Sequence, residues 1–146
     1  MQRTLALAAR GQKAVAPNPM VGCVIVKDGI TIGEGWHQRY GEAHAERNAA
    51  DQVSNPAALV GSTVYVNLEP CSHVGHTPPC CDLLIQHRVA RVVVSNYDPN
   101  PLVDGSGVER MRQAGIQVDV GLLEDQAREL NSAFFQRMSE RAQASE

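Results

Sequence analysis

The sequence lacks a long apolar segment. No apolar run approaches the roughly 20 residues that a helix needs to cross a bilayer, and the N-terminus has no signal-peptide apolar core. We therefore expect a cytoplasmic protein with no membrane partner. Internal repeats and low-complexity runs are also missing, which argues against a repeat architecture, and against disorder except in the last few residues.

An excess of positive charge is missing too. The formal net charge is −3, so the chain has no general attraction for a polyanion, and we expect no nucleic-acid partner. The chain has 146 residues, of which 43% are hydrophobic. This length supports one domain with a full hydrophobic core and is too short for two ordinary domains. We expect a single domain spanning residues 1–146.

The four cysteines are Cys23, Cys71, Cys80 and Cys81. In a reducing cytosol such a set indicates metal or core roles rather than disulfides. Cys23 lies inside an apolar run at residues 21–26, where a free cysteine usually behaves as a small buried hydrophobe. We assign Cys23 to the core, which leaves three thiols for other chemistry.

The hydrophobic pattern predicts a mixed sheet covered by helices on both faces. Gly11 is a plausible end of the first helix, residues 27–29 have hairpin chemistry, and Pro79 precedes a helix that starts at Cys80. The predicted helices span residues 3–10, 43–53, 80–87, 107–114 and 124–141, and the predicted strands span residues 21–26, 30–35, 62–68, 91–95 and 116–120.

Residues 69–81, EPCSHVGHTPPCC, place separated thiols beside a proline-bounded turn. Their partner is His44-Ala45-Glu46 in the first turn of a predicted helix. One imidazole and two thiolates make three protein ligands, the number typical of a catalytic zinc site that keeps a position for water. Spacing alone leaves the choice between Cys80 and Cys81 open. Glu46 fits the proton shuttle that hydrolytic deamination needs, because water must lose a proton and the departing amine must gain one.

A closed structural zinc site is the alternative, with Cys81 or His73 as a fourth ligand. Such a site would leave no room for water, and the side chains of adjacent cysteines diverge by about 100° on a helix. A noncatalytic zinc-stabilised binding module is a further alternative. In that case Glu46 would only be an acid favoured by the helix dipole.

The H-x-E motif followed by P-C and a later cysteine resembles the zinc nucleoside and nucleobase deaminases, although Cys80 follows Cys71 by nine positions instead of the usual short spacing. Four blocks look like the deaminase domain of the bifunctional riboflavin-biosynthesis enzymes. They are PNPMVGCVIV at residues 17–26, GEAHAE at 41–46, EPCSHVGHTPPC at 69–80 and DPNP at 98–101.

This resemblance implies a cytidine-deaminase-like, three-layer α/β/α fold with a central mixed five-stranded sheet. It implies one zinc ion per chain, bound by His44, Cys71 and Cys80, with Glu46 as proton shuttle. The implied reaction removes the 2-amino group of 2,5-diamino-6-ribosylamino-4(3H)-pyrimidinone 5′-phosphate by hydrolysis and releases ammonia. The implied substrate contacts are Asn18, His37, His76, Thr77, Asp98 and Asn100.

The family position of His76 is more often lysine or arginine, as expected beside an anionic substrate. Family members usually continue into a reductase domain, so we expect a reductase that is either fused to this domain or separate from it, and a homo-oligomer is possible. The alternative within the superfamily is a deaminase of a free base, a nucleotide or a tRNA adenosine. The open loop and the DPNP block argue against that alternative.

Overall fold

The computed structural model describes residues 1–72, 78–101 and 103–144. Within these ranges the strands form one sheet in the order β2-β1-β3-β4-β5. The strands are β1 (Gly22–Lys27), β2 (Ile30–Trp36), β3 (Thr63–Leu68), β4 (Arg91–Asn96) and β5 (Gln117–Val120). The helices are α1 (Gln2–Ala8), α2 (Ala45–Asp51), α3 (Cys80–Gln86), α4 (Ser106–Gln113), α5 (Glu124–Leu130) and α6 (Ser132–Ala144), with short 3-10 helices at Ala9–Val15 and Pro56–Leu59.

The sheet is mixed, as predicted. β1 pairs antiparallel with both β2 and β3, while the β3–β4 and β4–β5 pairs are parallel. Asp28 and Gly29 both have positive φ, 52° and 78°, which is the backbone that a tight two-residue hairpin requires. The predicted hairpin between β1 and β2 is therefore confirmed. Parallel pairing brings the carboxyl ends of β3 and β4 to the same edge of the sheet.

One face of the sheet packs against α2, α3 and α4 in the main hydrophobic core. Cys23 is fully buried there, as its apolar neighbours predicted. Gly33 and Gly35 on β2 let α2 approach closely, because a Cβ at Gly35 would lie 2.5 Å from the amide nitrogen of Ala49. On the other face α1 packs on β1 and α5 packs on β4. The sheet is thus the middle of three layers.

The first, second and last predicted helices differ from the structure at their ends, and the second, predicted over 43–53, spans Ala45–Asp51. The first α-helix ends at Ala8, and the short 3-10 segment that follows breaks at Gln12 (φ 42°), directly after Gly11. Gly11 also permits a close approach: a Cβ at this position would lie 2.8 Å from the carbonyl oxygen of His37. The long last helix is in fact two helices, α5 and α6, separated at Asn131. The Asn131 side chain bonds the backbone of Met20 at 2.8 Å through both its oxygen and its nitrogen, and this contact fixes the break.

None of the helices in the described ranges combines the length and the apolar character that crossing a membrane would require.

Candidate active site

The predicted ligands meet at the carboxyl end of β3. Cys71 follows this strand by three residues, Cys80 is the first residue of α3, and His44 directly precedes α2. His44 was predicted in the first turn of its helix, but it is the N-cap residue, with φ −74° and ψ 167°. In open α/β sheets, ligands bind at the carboxyl ends of strands, so the location suits a catalytic site.

The three side chains form a compact group. The Nδ1 atom of His44 lies 3.4 Å from the Cys80 sulfur and 3.8 Å from the Cys71 sulfur, and the three donor atoms lie within 4.8 Å of one another. Zinc bonds of about 2.0–2.3 Å at tetrahedral angles would place a nitrogen and a sulfur ligand about 3.6 Å apart. The donor types and their separations therefore fit a zinc ion.

Cys81 lies away from this group. Its sulfur is fully buried in the main core, 3.8 Å from an Asp82 carboxylate oxygen and 3.8 Å from an Arg110 guanidinium nitrogen. The divergence of neighbouring side chains on a helix accounts for this placement. Among the described residues, the group that could hold a metal consists of His44, Cys71 and Cys80 only.

The two clustered thiols differ in acidity. The pKa of Cys71 is lowered to about 4, chiefly because the Cys80 thiol donates to it, with further donation from His44 and from the Cys80 backbone N–H at 3.2 Å. The pKa of Cys80 is raised well above its usual value, because it is the donor in that bond and because it is buried. The pair thus shares one proton. Thiolate is the species that binds zinc, so metal binding would release that proton.

Glu46 lies in the first turn of α2, and its side chain is only 3% exposed. Burial raises the pKa of Glu46, and the raised pKa of His44 is due first to its hydrogen bond with Cys71. A buried carboxylate whose pKa is raised binds a proton more readily than an exposed one. The structure therefore places a buried carboxyl group beside the candidate metal ligands.

A cleft of about 200 Å³ opens over this group. His37 is buried on its wall, where Nδ1 faces the Ala43 carbonyl oxygen at 3.1 Å and Nε2 faces the Asn18 amide nitrogen at 3.2 Å. Nδ1 must donate to the carbonyl, so Nε2 accepts from Asn18. Burial lowers the pKa of His37, in agreement with a neutral ring. The two bonds together orient the Asn18 amide at the cleft.

Asp98 and Asn100 also line the cleft, in the turn after β4. The Asp98 carboxylate accepts from the backbone N–H of Asn100 at 2.9 Å, so the two residues form a local turn. Of the predicted substrate contacts, four therefore share one cleft: Asn18, His37, Asp98 and Asn100. The other two, His76 and Thr77, lie outside the described residues.

Glu69 also lines the cleft, and the sequence analysis predicted no role for it. It is 3% exposed, and its carboxylate accepts from the backbone N–H groups of Asp98 at 3.1 Å, Gly105 at 2.9 Å and Val108 at 2.9 Å. These bonds fasten the turn that contains Asp98 and the start of α4 to the end of β3. The only signal in the sequence is an acid directly after a buried strand, which does not identify its donors.

Two asparagines for which the sequence analysis predicted no role hold the opposite wall of the cleft. The Asn131 side chain bonds both the N–H and the carbonyl of Met20. Asn67 donates to the Met20 carbonyl at 3.0 Å and accepts from the N–H of Gly22 at 2.8 Å. Phe134 of α6 also lines the cleft. These contacts hold the segment that carries Asn18, because Asn18 lies two residues before Met20.

The sequence model described as "Cytidine and deoxycytidylate deaminase zinc-binding region" matches residues 1–96 of the chain. The chain is 56% identical over 138 residues to the riboflavin biosynthesis protein RibD of Escherichia coli (strain K12), covering 94% of this chain and 37% of that relative. It is 48% identical over 138 residues to the diaminohydroxyphosphoribosylamino-pyrimidine deaminase of Buchnera aphidicola subsp. Schizaphis graminum, covering 94% of this chain and 92% of that relative.

Among solved structures, RibD of Acinetobacter baumannii (form 2) superposes with a TM-score of 0.91 at 49% identity. That alignment covers 94% of this chain and 38% of the longer chain. The chain thus spans little more than a third of the length of the RibD relatives and most of the length of the Buchnera deaminase.

Proposed function

The chain belongs to the zinc-binding family of cytidine and deoxycytidylate deaminases, and we propose that it deaminates the diaminopyrimidinone ribotide of riboflavin biosynthesis. The predicted family and the predicted cytidine-deaminase-like fold are both confirmed. One observation carries the proposal: a buried glutamate, Glu46, lies beside a His/Cys/Cys group at the bottom of a cleft that also contains amide side chains. The Buchnera relative, named as this deaminase, supports the choice of substrate.

His44, Cys71 and Cys80 would hold the zinc ion, one per chain, with three protein ligands as in catalytic zinc sites. Zinc bound there supplies a water of lowered pKa at an electropositive centre. The backbone N–H of Cys80 and the start of α3 favour thiolate at Cys71, which prepares the group for a cation.

Glu46 is the proposed proton shuttle. It accepts a proton as water adds to C2 of the pyrimidinone, and it returns a proton to the 2-amino group as the C–N bond breaks. The products are ammonia and a ring that carries oxygen at C2. The raised pKa of Glu46, caused first by its burial, favours acceptance of the proton from water.

Asn18, Asn100, Asp98 and His37 are proposed to position the ring. An amide can donate and accept at once, which matches the mixed edge of a pyrimidinone. Asn18 is oriented by its bond to the neutral His37 ring, and the turn containing Asp98 and Asn100 is fastened by Glu69. Residues from two walls of the cleft would thus hold the ring, and separate sets of hydrogen bonds fix the two walls.

We propose further that residues 1–146 are the deaminase unit of a pathway that needs a reductase, either fused to it or separate. The alignment with part of RibD and with most of the Buchnera deaminase supports both arrangements. A cytoplasmic location is supported by four cysteines that are all free thiols.

Ammonia release tests the proposed substrate. Zinc-loaded protein is incubated separately with the diaminopyrimidinone ribotide, cytidine, guanine and tRNA, at equal concentrations of reactive base. We expect rapid ammonia release from the ribotide alone. Release from cytidine, guanine or tRNA at a higher rate would assign the chain to another deaminase of the family, and release from none would favour the noncatalytic zinc module.

A further inference from the structure

The inner cleft has no obvious place for a phosphate among its described residues. Its lining includes the carboxyl groups of Glu46, Glu69 and Asp98, and no lysine or arginine of the described ranges belongs to it. The whole chain is also acidic, with a net charge of −3. A phosphate monoester carries close to two negative charges at neutral pH, so it would be repelled here. Cationic partners for a phosphate must therefore come from outside this described lining.

The size of the cleft leads to the same conclusion. Its volume of about 200 Å³ is below the roughly 300–1,000 Å³ typical of pockets for larger small molecules. The base must occupy the inner part, because the reacting carbon has to reach Glu46 and the His44 group. The ribosyl phosphate must then extend outwards.

A second groove, of about 570 Å³, continues the cleft on the side of α6. Three residues line both spaces, namely Asn18, Asn100 and Phe134, so a ligand can pass from one to the other without leaving the surface. Beyond them the groove is lined by Arg137 and Arg141. These arginines are four residues apart on one helix and therefore project from the same face.

We propose that this groove is the phosphate subsite of the substrate, with Arg137 and Arg141 binding the 5′-phosphate; the inference rests on the proposed function. Arg137 is anchored by donating to the Pro17 carbonyl oxygen at 2.6 Å, which uses one of its five N–H donors. The anchor holds the guanidinium at the mouth of the cleft, beside the segment that carries Asn18. Guanidinium groups stay charged at every working pH and match phosphate geometry, unlike the histidine at position 76.

Glu140 also lines the groove, and its carboxylate accepts from Gln136 at 3.4 Å. Among the described residues that line the groove, the two arginines and this glutamate sum to a formal charge of +1. Glu140 should weaken phosphate binding rather than support it. The three charges therefore predict opposite effects: loss of either arginine weakens binding of the ribotide, and loss of the glutamate strengthens it.

Steady-state kinetics of Arg137→Gln, Arg141→Gln and Glu140→Gln test the subsite. The contact between Arg137 and Pro17 is exposed, which limits the structural damage in Arg137→Gln. Each variant is assayed by ammonia release with the ribotide and with its dephosphorylated riboside. Arg91→Gln is the matched control, because Arg91 forms an exposed ion pair with Asp119 at the opposite end of β4.

We expect each arginine variant to lower the ribotide-to-riboside ratio of kcat/KM about tenfold, chiefly through KM. Glu140→Gln should raise that ratio about twofold, and Arg91→Gln should leave it at the wild-type value. A wild-type ratio in both arginine variants would overturn the subsite while leaving the proposed reaction intact. Failure of the wild-type enzyme to release ammonia from the ribotide would instead overturn both.

Discussion

Two buried carboxyl groups line the same cleft, yet the structure gives them different surroundings. Glu46 at the start of α2 and Glu69 at the end of β3 are each 3% exposed. Glu69 accepts from three backbone N–H groups, which keep their protons at any working pH. Glu46 has ionisable neighbours, His44, Cys71 and Cys80, and burial raises its pKa. Burial alone therefore does not identify a catalytic acid; the chemistry of its partners does.

Cys80 and Cys81 show the same contrast between ionisable and structural surroundings. Cys80 and Cys81 are adjacent and both buried, but only Cys80 faces the His44 ring. Cys81 packs in the apolar core beside an exposed ion pair between Asp82 and Arg110. Adjacent positions on α3 thus hold one thiol that can exchange protons or bind metal and one thiol that packs in the core.

The largest effect is expected from Cys80→Ser, which removes a proposed metal ligand and a titratable neighbour of Glu46. Zinc content should fall from about one per chain to near zero, and ammonia release should fall with it. Cys81→Ser is the matched control and should keep most of its zinc, at a stability cost of about 1 kcal/mol for placing a hydroxyl in the core. Metal analysis of both purified proteins measures the difference. Equal zinc loss in the two variants would remove the assignment of Cys80.

The next largest effect is expected from Glu46→Gln. The amide keeps the size of the side chain but cannot accept and return a proton, so turnover should fall by about 10²- to 10⁴-fold. Zinc content should stay near the wild-type value, since Glu46 is not one of the three clustered donors. Turnover and metal content are measured on one preparation. Near-normal turnover with full zinc would exclude Glu46 from proton transfer.

Compared with Glu46→Gln, we expect Glu69→Gln to have a smaller effect on activity and a larger effect on stability. The amide nitrogen would face at least one backbone N–H donor, so a buried donor would lose its acceptor. The free energy of unfolding should fall by about 2 to 3 kcal/mol, measured by denaturant titration. Unchanged stability would mean that the three backbone bonds do not fasten the Asp98 turn.

Contacts close in sequence made most of the fold predictable. β-branched runs located the strands, Asp28-Gly29 located the hairpin, and the prolines before Cys80 located the start of α3. The break at Asn131 was missed because its partner, Met20, is 111 positions away. Propensity along residues 124–141 favours one continuous helix, whereas the structure divides it at Asn131, whose side chain makes two hydrogen bonds to the backbone of Met20.

The residues of the candidate site were likewise predictable where local signals identified them, and not where distant contacts did. Side-chain chemistry and motif spacing identified His44, Glu46 and Cys71, and the family resemblance selected Cys80 over Cys81; the fold brings these residues together. Glu69 was missed because its donors lie 29 to 39 positions further along the chain, and backbone N–H groups leave no trace in a sequence. Scaffold residues of this kind become visible only when the chain is folded.

The most direct test compares Glu46→Gln with Glu69→Gln as turnover per bound zinc ion, using the ribotide at saturating concentration. Both changes replace a buried carboxyl group with an amide at the same cleft, so charge and size are matched. We predict a loss of at least about 100-fold in Glu46→Gln and of less than about tenfold in Glu69→Gln. Equal losses, or a larger loss in Glu69→Gln, would contradict the assignment of proton transfer to Glu46.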